Sequence, residues 1–181
     1  MTDAPASAYD MSHADEAVER RTLAVMVDNE PGVLARVVGL FSARGYNIES
    51  LTVAEVDDTR HRSRITIVTY GSPHMLEQIE AQLLRLVPVG RVVDITKSKR
   101  GVERELALVK VAGVGDKRVE ALRIAEIFRA NVIDTTNESF VFELTGASDK
   151  IDQFVALMKP LGLVELSRTG VLSIKRGKEK G

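Results

Sequence analysis

Cysteine is absent from the sequence, which excludes disulfides, thiolate metal sites and a cysteine nucleophile together. Tryptophan is absent too, and aromatic residues make up only 4% of the 181 residues. A core with so few rings must be aliphatic, and a pocket has little on which to stack a nucleobase. Positive charge is not in excess: 25 Lys+Arg stand against 26 Asp+Glu, a formal net charge of −1. A groove for duplex nucleic acid normally shows as a basic excess, so no nucleic-acid partner is expected. No apolar run approaches the length of a membrane-spanning helix, and no membrane association is expected. Residues 1–19 carry Asp3, Asp10, Asp15, Glu16 and Glu19 without a single Lys or Arg. A signal peptide needs a basic start and an apolar core, so residues 1–20 read as a disordered leader and the location as cytoplasmic. What is present is 44% hydrophobic residues, enough for a packed core.

From Arg21 the period of the apolar residues changes repeatedly. Leu23–Asp28 reads as a central strand, and Pro31 suits the first turn of a helix. Leu34, Val37, Val38 and Phe41 form one helical stripe, and Gly45 follows as the left-handed residue that ends it. Ile48–Val56 and Arg64–Tyr70 read as strands around the turn Asp57-Asp58-Thr59. A helix striped by Leu76, Ile79, Leu83 and Leu86 and a strand over Val89–Lys97 complete β-α-β-β-α-β. The pattern then repeats. Leu106–Val111 is a strand, Val119, Leu122, Ala125 and Phe128 a helical stripe, and Asn131 stands where Gly45 stood. Val132–Thr136 and Phe140–Thr145 are strands, and Ser148 or Asp149 caps a helix striped by Ile151, Phe154, Val155, Met158 and Leu161. Leu163–Ser167 and Val171–Ile174 close the chain.

The expected class is therefore α+β: two ferredoxin-like sandwiches in tandem, over residues 21–98 and 104–176, with a linker at 99–103 and a tail at 177–181. Each unit is small enough that its own core is marginal, so a homodimer is expected to cover the remaining faces.

Enzymatic constellations are missing. His13, His61 and His74 show no metal-ligand spacing, and neither GxSxG nor a P-loop occurs. Gly113-Val114-Gly115 begins like a dinucleotide loop, but Arg118 stands where the third glycine is required. An RNA-binding sheet would need aromatic platforms on a central strand, where this chain has Arg64-Ile65-Thr66-Ile67-Val68. Arg60-His61-Arg62-Ser63-Arg64 reads as a solvated hairpin arm or as a contact for a phosphate or an acidic partner.

Asp28-Asn29-Glu30-Pro31-Gly32-Val33-Leu34 says more. It leads from a central strand into a helix N-terminus, where unpaired N–H groups favour an anion. Gly32 lets a ligand approach the backbone, and Asn29 and Asn47 can each both donate and accept. An α-amino acid needs such a lining: donors for its carboxylate, acceptors for its ammonium, and a small apolar wall. On residue chemistry alone, a plain strand-to-helix turn and a helix-exit turn account for the same residues.

The run Asp28–Val37, then Gly39-Leu40-Phe41-Ser42, then Arg44-Gly45-Tyr46-Asn47-Ile48-Glu49-Ser50-Leu51-Thr52-Val53 resembles the ACT domain of the small, regulatory subunits of acetolactate synthase (acetohydroxyacid synthase). Arg104–Val111, Ile127-Phe128-Arg129-Ala130 and Arg168-Thr169-Gly170-Val171 resemble that family's C-terminal domain. The resemblance implies a non-catalytic subunit that activates a thiamine-diphosphate-dependent large catalytic subunit and makes it sensitive to valine, or to leucine or isoleucine. Thiamine diphosphate, Mg and FAD are then expected in the large subunit alone, with no cofactor, metal or catalytic residue in this chain. It further implies a homodimer through the ACT domain, with the effector where two domains meet. Asn29, Pro31, Gly32, Val33 and Leu34 would come from one chain, and Asn47 and Ile48 from the other. The second unit has Gly113-Val114-Gly115-Asp116 in place of Asn-x-Pro-Gly and is given no effector site. Two rivals stand beside this reading: a free-standing tandem ACT sensor that controls another enzyme or a transcription factor, and an interaction module without a ligand.

Overall fold

The computed structural model describes residues 17–97 and 101–178. Most of the expected leader, and the last three residues of the expected tail, lie outside the described residues.

The N-terminal unit runs β1 (Glu19–Asp28), α1 (Val33–Ala43), β2 (Ser50–Asp57), β3 (Arg62–Gly71), α2 (Pro73–Leu83) and β4 (Val89–Asp94). Its sheet has the order β2-β3-β1-β4, antiparallel throughout. Period-two alternation sends Leu23, Val25 and Val27 of β1, with Ile65 and Ile67 of β3, to the face covered by the helices. There they meet Val37 and Phe41 of α1 and Leu76, Ile79 and Leu83 of α2, all but fully buried. Ser72 caps α2, accepting from the Met75 N–H at 3.3 Å, and Pro73 follows where a missing N–H costs nothing.

The C-terminal unit runs β5 (Gly101–Ala112), α3 (Asp116–Phe128), β6 (Asn131–Thr135), β7 (Ser139–Gly146), α4 (Ser148–Gly162), β8 (Leu163–Arg168) and β9 (Leu172–Lys175). Its sheet has the order β6-β7-β5-β8. Four of the five phenylalanines are in this unit. Phe142 and Phe154 meet edge to face with centroids 6.0 Å apart, and Phe128 stands 5.4 Å from Phe154. The few aromatics are thus concentrated in one core, while the other is almost wholly aliphatic.

Several local expectations are corrected. Pro31 precedes α1 rather than standing in its first turn, and Gly32 is the N-cap. The left-handed residue after α3 is Arg129 (φ 57°), not Asn131, which instead opens β6. Ala147 is the N-cap of α4, without a side-chain cap from Ser148 or Asp149. In α3 the buried positions are Ala121, Ile124 and Ala125 while Val119 is exposed, and Leu122 and Phe128 are partly buried against the same core. The described ends of the expected leader and linker are strand: β1 begins at Glu19, and residues 101–103 pair with β9, while linker residues 99–100 lie outside the described residues.

That last pairing decides how the two units meet. The first four residues of β5 carry β9, and the segment Gly170–Ile174 lies across the face of the N-terminal sheet that the helices leave open. Thr22, Ala24, Thr66 and Val68 on that face are almost fully buried.

Candidate functional site

The loop entering α1 is shaped by Gly32, whose φ of 82° is a conformation L side chains rarely adopt. A Cβ placed there would meet nothing within 4 Å, so the glycine borders open space. The Val33 N–H reaches the Glu30 carbonyl at 3.2 Å, and no side chain caps the helix. The first turn therefore offers N–H groups to solvent at the positive end of the helix dipole. Asn29 and Pro31 are exposed and Leu34 is 39% exposed, so these three can border a ligand. Val33 is 7% exposed and packs into the core, which leaves only its backbone facing outward.

Asn47 and Ile48 precede β2 rather than lying within it. The Asn47 side chain is exposed, while its carbonyl accepts from Thr69 Oγ1 at 2.6 Å. Ile48 is half-buried against the core, and Tyr46 meets Phe41 edge to face at 6.1 Å. The two groups of expected site residues sit at opposite ends of α1, an 11-residue helix. A rise of 1.5 Å per residue separates them by about 16 Å. One chain does not bring them together around a molecule the size of an amino acid.

The arm at Arg60–Arg64 spans the end of the β2–β3 turn and the first three residues of β3. Its basic residues stand beside acids: Arg60 by Asp57 at 3.9 Å, His61 by Glu55 and Arg62 by Asp28, each at 3.8 Å. Thr59 Oγ1 donates to Asp57 at 2.7 Å, and that bond holds the Asp57 carboxyl below its ordinary range. Arg64 points elsewhere, to the Ser173 carbonyl at 2.6 Å, and burial pushes its guanidinium below its usual value. Among the described residues no group of three or more His, Asp or Glu is placed to hold a metal ion. No helix there is long and apolar enough to cross a membrane.

One feature escaped the sequence. A cleft of about 500 Å³ between the units is lined by Glu49, Ser50, Glu105, Asp152, Arg168 and Gly170, among others. Arg168 grips Glu105 with two parallel hydrogen bonds of 2.7 and 2.6 Å and Asp152 with a third of 2.6 Å. These bonds, Glu105 first, outweigh burial and hold the guanidinium above its ordinary value. The available signal was Glu105 itself, a charge in phase with the core positions Ala107, Val109 and Val111.

The N-terminal unit matches the AHAS small subunit-like ACT domain over residues 23–91, and the C-terminal unit matches the small subunit of acetolactate synthase over 104–177. The chain is 47% identical over 161 residues to the acetolactate synthase small subunit of Haemophilus influenzae, covering 88% of this chain and 98% of that one. It belongs to the acetolactate synthase small-subunit family. It is likewise 49% identical to the isozyme 3 small subunit of Salmonella typhimurium, covering 87% of this chain and 96% of that one. The crystal structure of the acetolactate synthase small subunit from Thermotoga maritima superposes with a TM-score of 0.79 at 38% identity, covering 89% and 99% of the two chains. The tandem ACT architecture is thus the family's own.

Proposed function

We propose that this chain is the non-catalytic regulatory subunit of acetolactate synthase. It activates the thiamine-diphosphate-dependent large subunit and confers feedback inhibition by a branched-chain amino acid, valine first. Membership of the small-subunit family over nearly the whole chain carries the reading. The separation of the two half-sites along α1 supports an effector site completed by a second copy. The Asn29–Leu34 loop of one protomer would hold the effector carboxylate at its helix N-terminus, and Asn47 of the partner subunit would take the ammonium. Thiamine diphosphate, Mg and FAD belong in this reading to the large subunit, in the cytoplasm.

Inhibition then requires that valine bind one arrangement of the complex more tightly than another. A differential of about 3 kcal/mol shifts that equilibrium roughly 150-fold. The test combines two measurements. Valine, leucine and isoleucine are titrated against the melting temperature of the isolated chain, which a native-state ligand must raise. The same chain is then added to the large subunit and acetolactate formation followed with and without each amino acid. Stimulation by the chain and its reversal by one of the three is the expected result; no stimulation refutes the proposal.

A further inference from the structure

We infer that the C-terminal unit senses effector occupancy through the start of β2, where Ser50 and Thr52 hold the Gly170–Ser173 segment by its backbone. The inference rests on the effector reading above and assigns the route by which the second unit, which has no Asn-x-Pro-Gly loop, takes part in regulation.

The grip is specific. Ser50 and Thr52 are two apart on a strand and so share one face. Ser50 Oγ accepts from the Val171 N–H at 2.9 Å, and Thr52 Oγ1 donates to the Val171 carbonyl at 3.2 Å. One residue is thereby held through both its donor and its acceptor. Arg64 on β3 adds a bond of 2.6 Å to the Ser173 carbonyl. Gly170 makes the approach possible: its φ is 82°, and a Cβ there would lie 2.6 Å from Ser50 Oγ and 3.1 Å from Thr52 Cγ2.

Both ends of this clasp are anchored. Towards Asn47, the Glu49 N–H donates to the Val68 carbonyl at 2.8 Å and Thr69 holds the Asn47 carbonyl, so the lead into β2 is tied to β3 before the strand pairing begins at Ser50. Towards the C-terminal unit, the Thr169 N–H donates to the Leu106 carbonyl at 3.0 Å, and Thr169 Oγ1 accepts from the Leu106 N–H at 3.1 Å. Arg168 ties the same segment to Glu105 on β5 and Asp152 on α4. A displacement at Asn47 is passed through the three-residue lead into β2 to Ser50, and from there across to a segment fixed in the other core. Hydroxyl-to-backbone bonds suit this role, since each contributes only about 1 kcal/mol and can be exchanged without unfolding either unit.

The double variant Ser50→Ala/Thr52→Val removes both hydroxyls at nearly constant volume. Wild type and variant are compared for amino-acid affinity by calorimetry on the small subunit, and for activation and inhibition in the reconstituted complex. The variant should bind valine as wild type does and still activate, while half-inhibition needs about tenfold more valine, within the usual span of coupling free energies. An unchanged inhibition curve overturns the inference, as does joint loss of activation and inhibition, which marks the clasp as mere cement. Absence of valine binding or inhibition in wild type refutes the underlying regulatory reading as well, and is seen before any variant is made. Should the variant fold poorly, hydrogen exchange on wild type decides: valine should change protection of the Val171 amide by about fivefold or more, and an unmoved Val171 overturns the inference.

Discussion

The Asn29 N–H donates to the His61 carbonyl at 2.6 Å, joining the loop that enters α1 to the tip of the β2–β3 hairpin. The register places Asp28 opposite Arg62, so this bond continues the ladder one step past its last strand pair. His61 reaches it only by adopting a φ of 47°. A left-handed backbone costs a side-chain-bearing residue about 1 kcal/mol or more. His61→Gly should therefore stabilise the chain by up to about 1 kcal/mol, or roughly 2–4 °C in thermal midpoint for a chain of this size. The imidazole is 81% exposed and its carboxylate neighbour 3.8 Å away, so little is lost with it. A lowered midpoint would assign the side chain a structural role.

Gly32→Asp places a carboxylate where the proposed effector carboxylate belongs. Space is available, but the positive φ costs about 1 kcal/mol, partly offset by the favourable position of an acid at a helix N-terminus. The fold should survive. Inhibition by valine should vanish from the reconstituted complex while activation is retained, and inhibition at wild-type concentrations would remove this loop from the site.

Asn47→Ala separates the exposed amide from the backbone, whose carbonyl continues to accept from Thr69. Stability should change by no more than about 0.5 kcal/mol. Loss of one hydrogen bond to a charged group should weaken valine binding about tenfold, equivalent to about 1.4 kcal/mol. Calorimetry on the folded variant measures this directly, and unchanged affinity would count against the ammonium contact.

The fold was largely legible because its cores are local. The stripe Val37–Phe41 and the alternation of Leu23, Val25 and Val27 each declare a face within one element. The departures come where tertiary contacts choose among local options. Both Arg129 and Asn131 could end α3; Asn131 is taken by β6, opposite Glu143, so the left-handed turn falls on Arg129. The candidate loop was legible because helix N-terminus, glycine and asparagine are adjacent in sequence. The clasp was not, since Ser50 and Val171 lie 121 residues apart and meet through a backbone N–H that any residue but proline would supply. Gly170 falls between the expected strands Leu163–Ser167 and Val171–Ile174, where nothing in the sequence shows that its missing Cβ is what admits Ser50.

Arg168→Leu should expose how strongly the second unit depends on one guanidinium. The Glu105 side chain is only 5% exposed, and without Arg168 its charge is left buried and uncompensated. Breaking a buried pair costs about 3–5 kcal/mol; with Arg168 itself 30% exposed, about 2–3 kcal/mol is expected. The pH dependence has a definite sign. Arg168 is held above its ordinary value, so its contribution is complete below the unfolded arginine range and is lost only as pH rises through the folded one. The difference in stability between wild type and variant should therefore hold steady from neutral to mildly alkaline pH. Urea unfolding of both proteins at several pH values in that range checks this, and a gap that closes there would mean the Arg168 guanidinium does not carry the difference.

Gly162→Ala tests whether the two cores fail separately. Gly162 joins α4 to β8 at a φ of 109°, and a Cβ there would stand 2.0 Å from the Ala112 carbonyl oxygen. That oxygen belongs to backbone at the end of the central strand β5, so it cannot swing aside as a flexible side chain would. Either β8 shifts off β5 or the end of α4 unwinds, and both open the core around Phe154 and Met158. A loss of about 3–5 kcal/mol is expected, of the size reserved for severe backbone conflicts. The N-terminal core shares none of these residues, so thermal unfolding should split into two transitions, with only the C-terminal one moved down. Backbone amide exchange supplies the assignment: β5, β7 and α4 should lose protection while β1 and β3 keep theirs. A single transition shifted as a whole would show instead that the clasp between Ser50 and Val171 makes the two units one cooperative body.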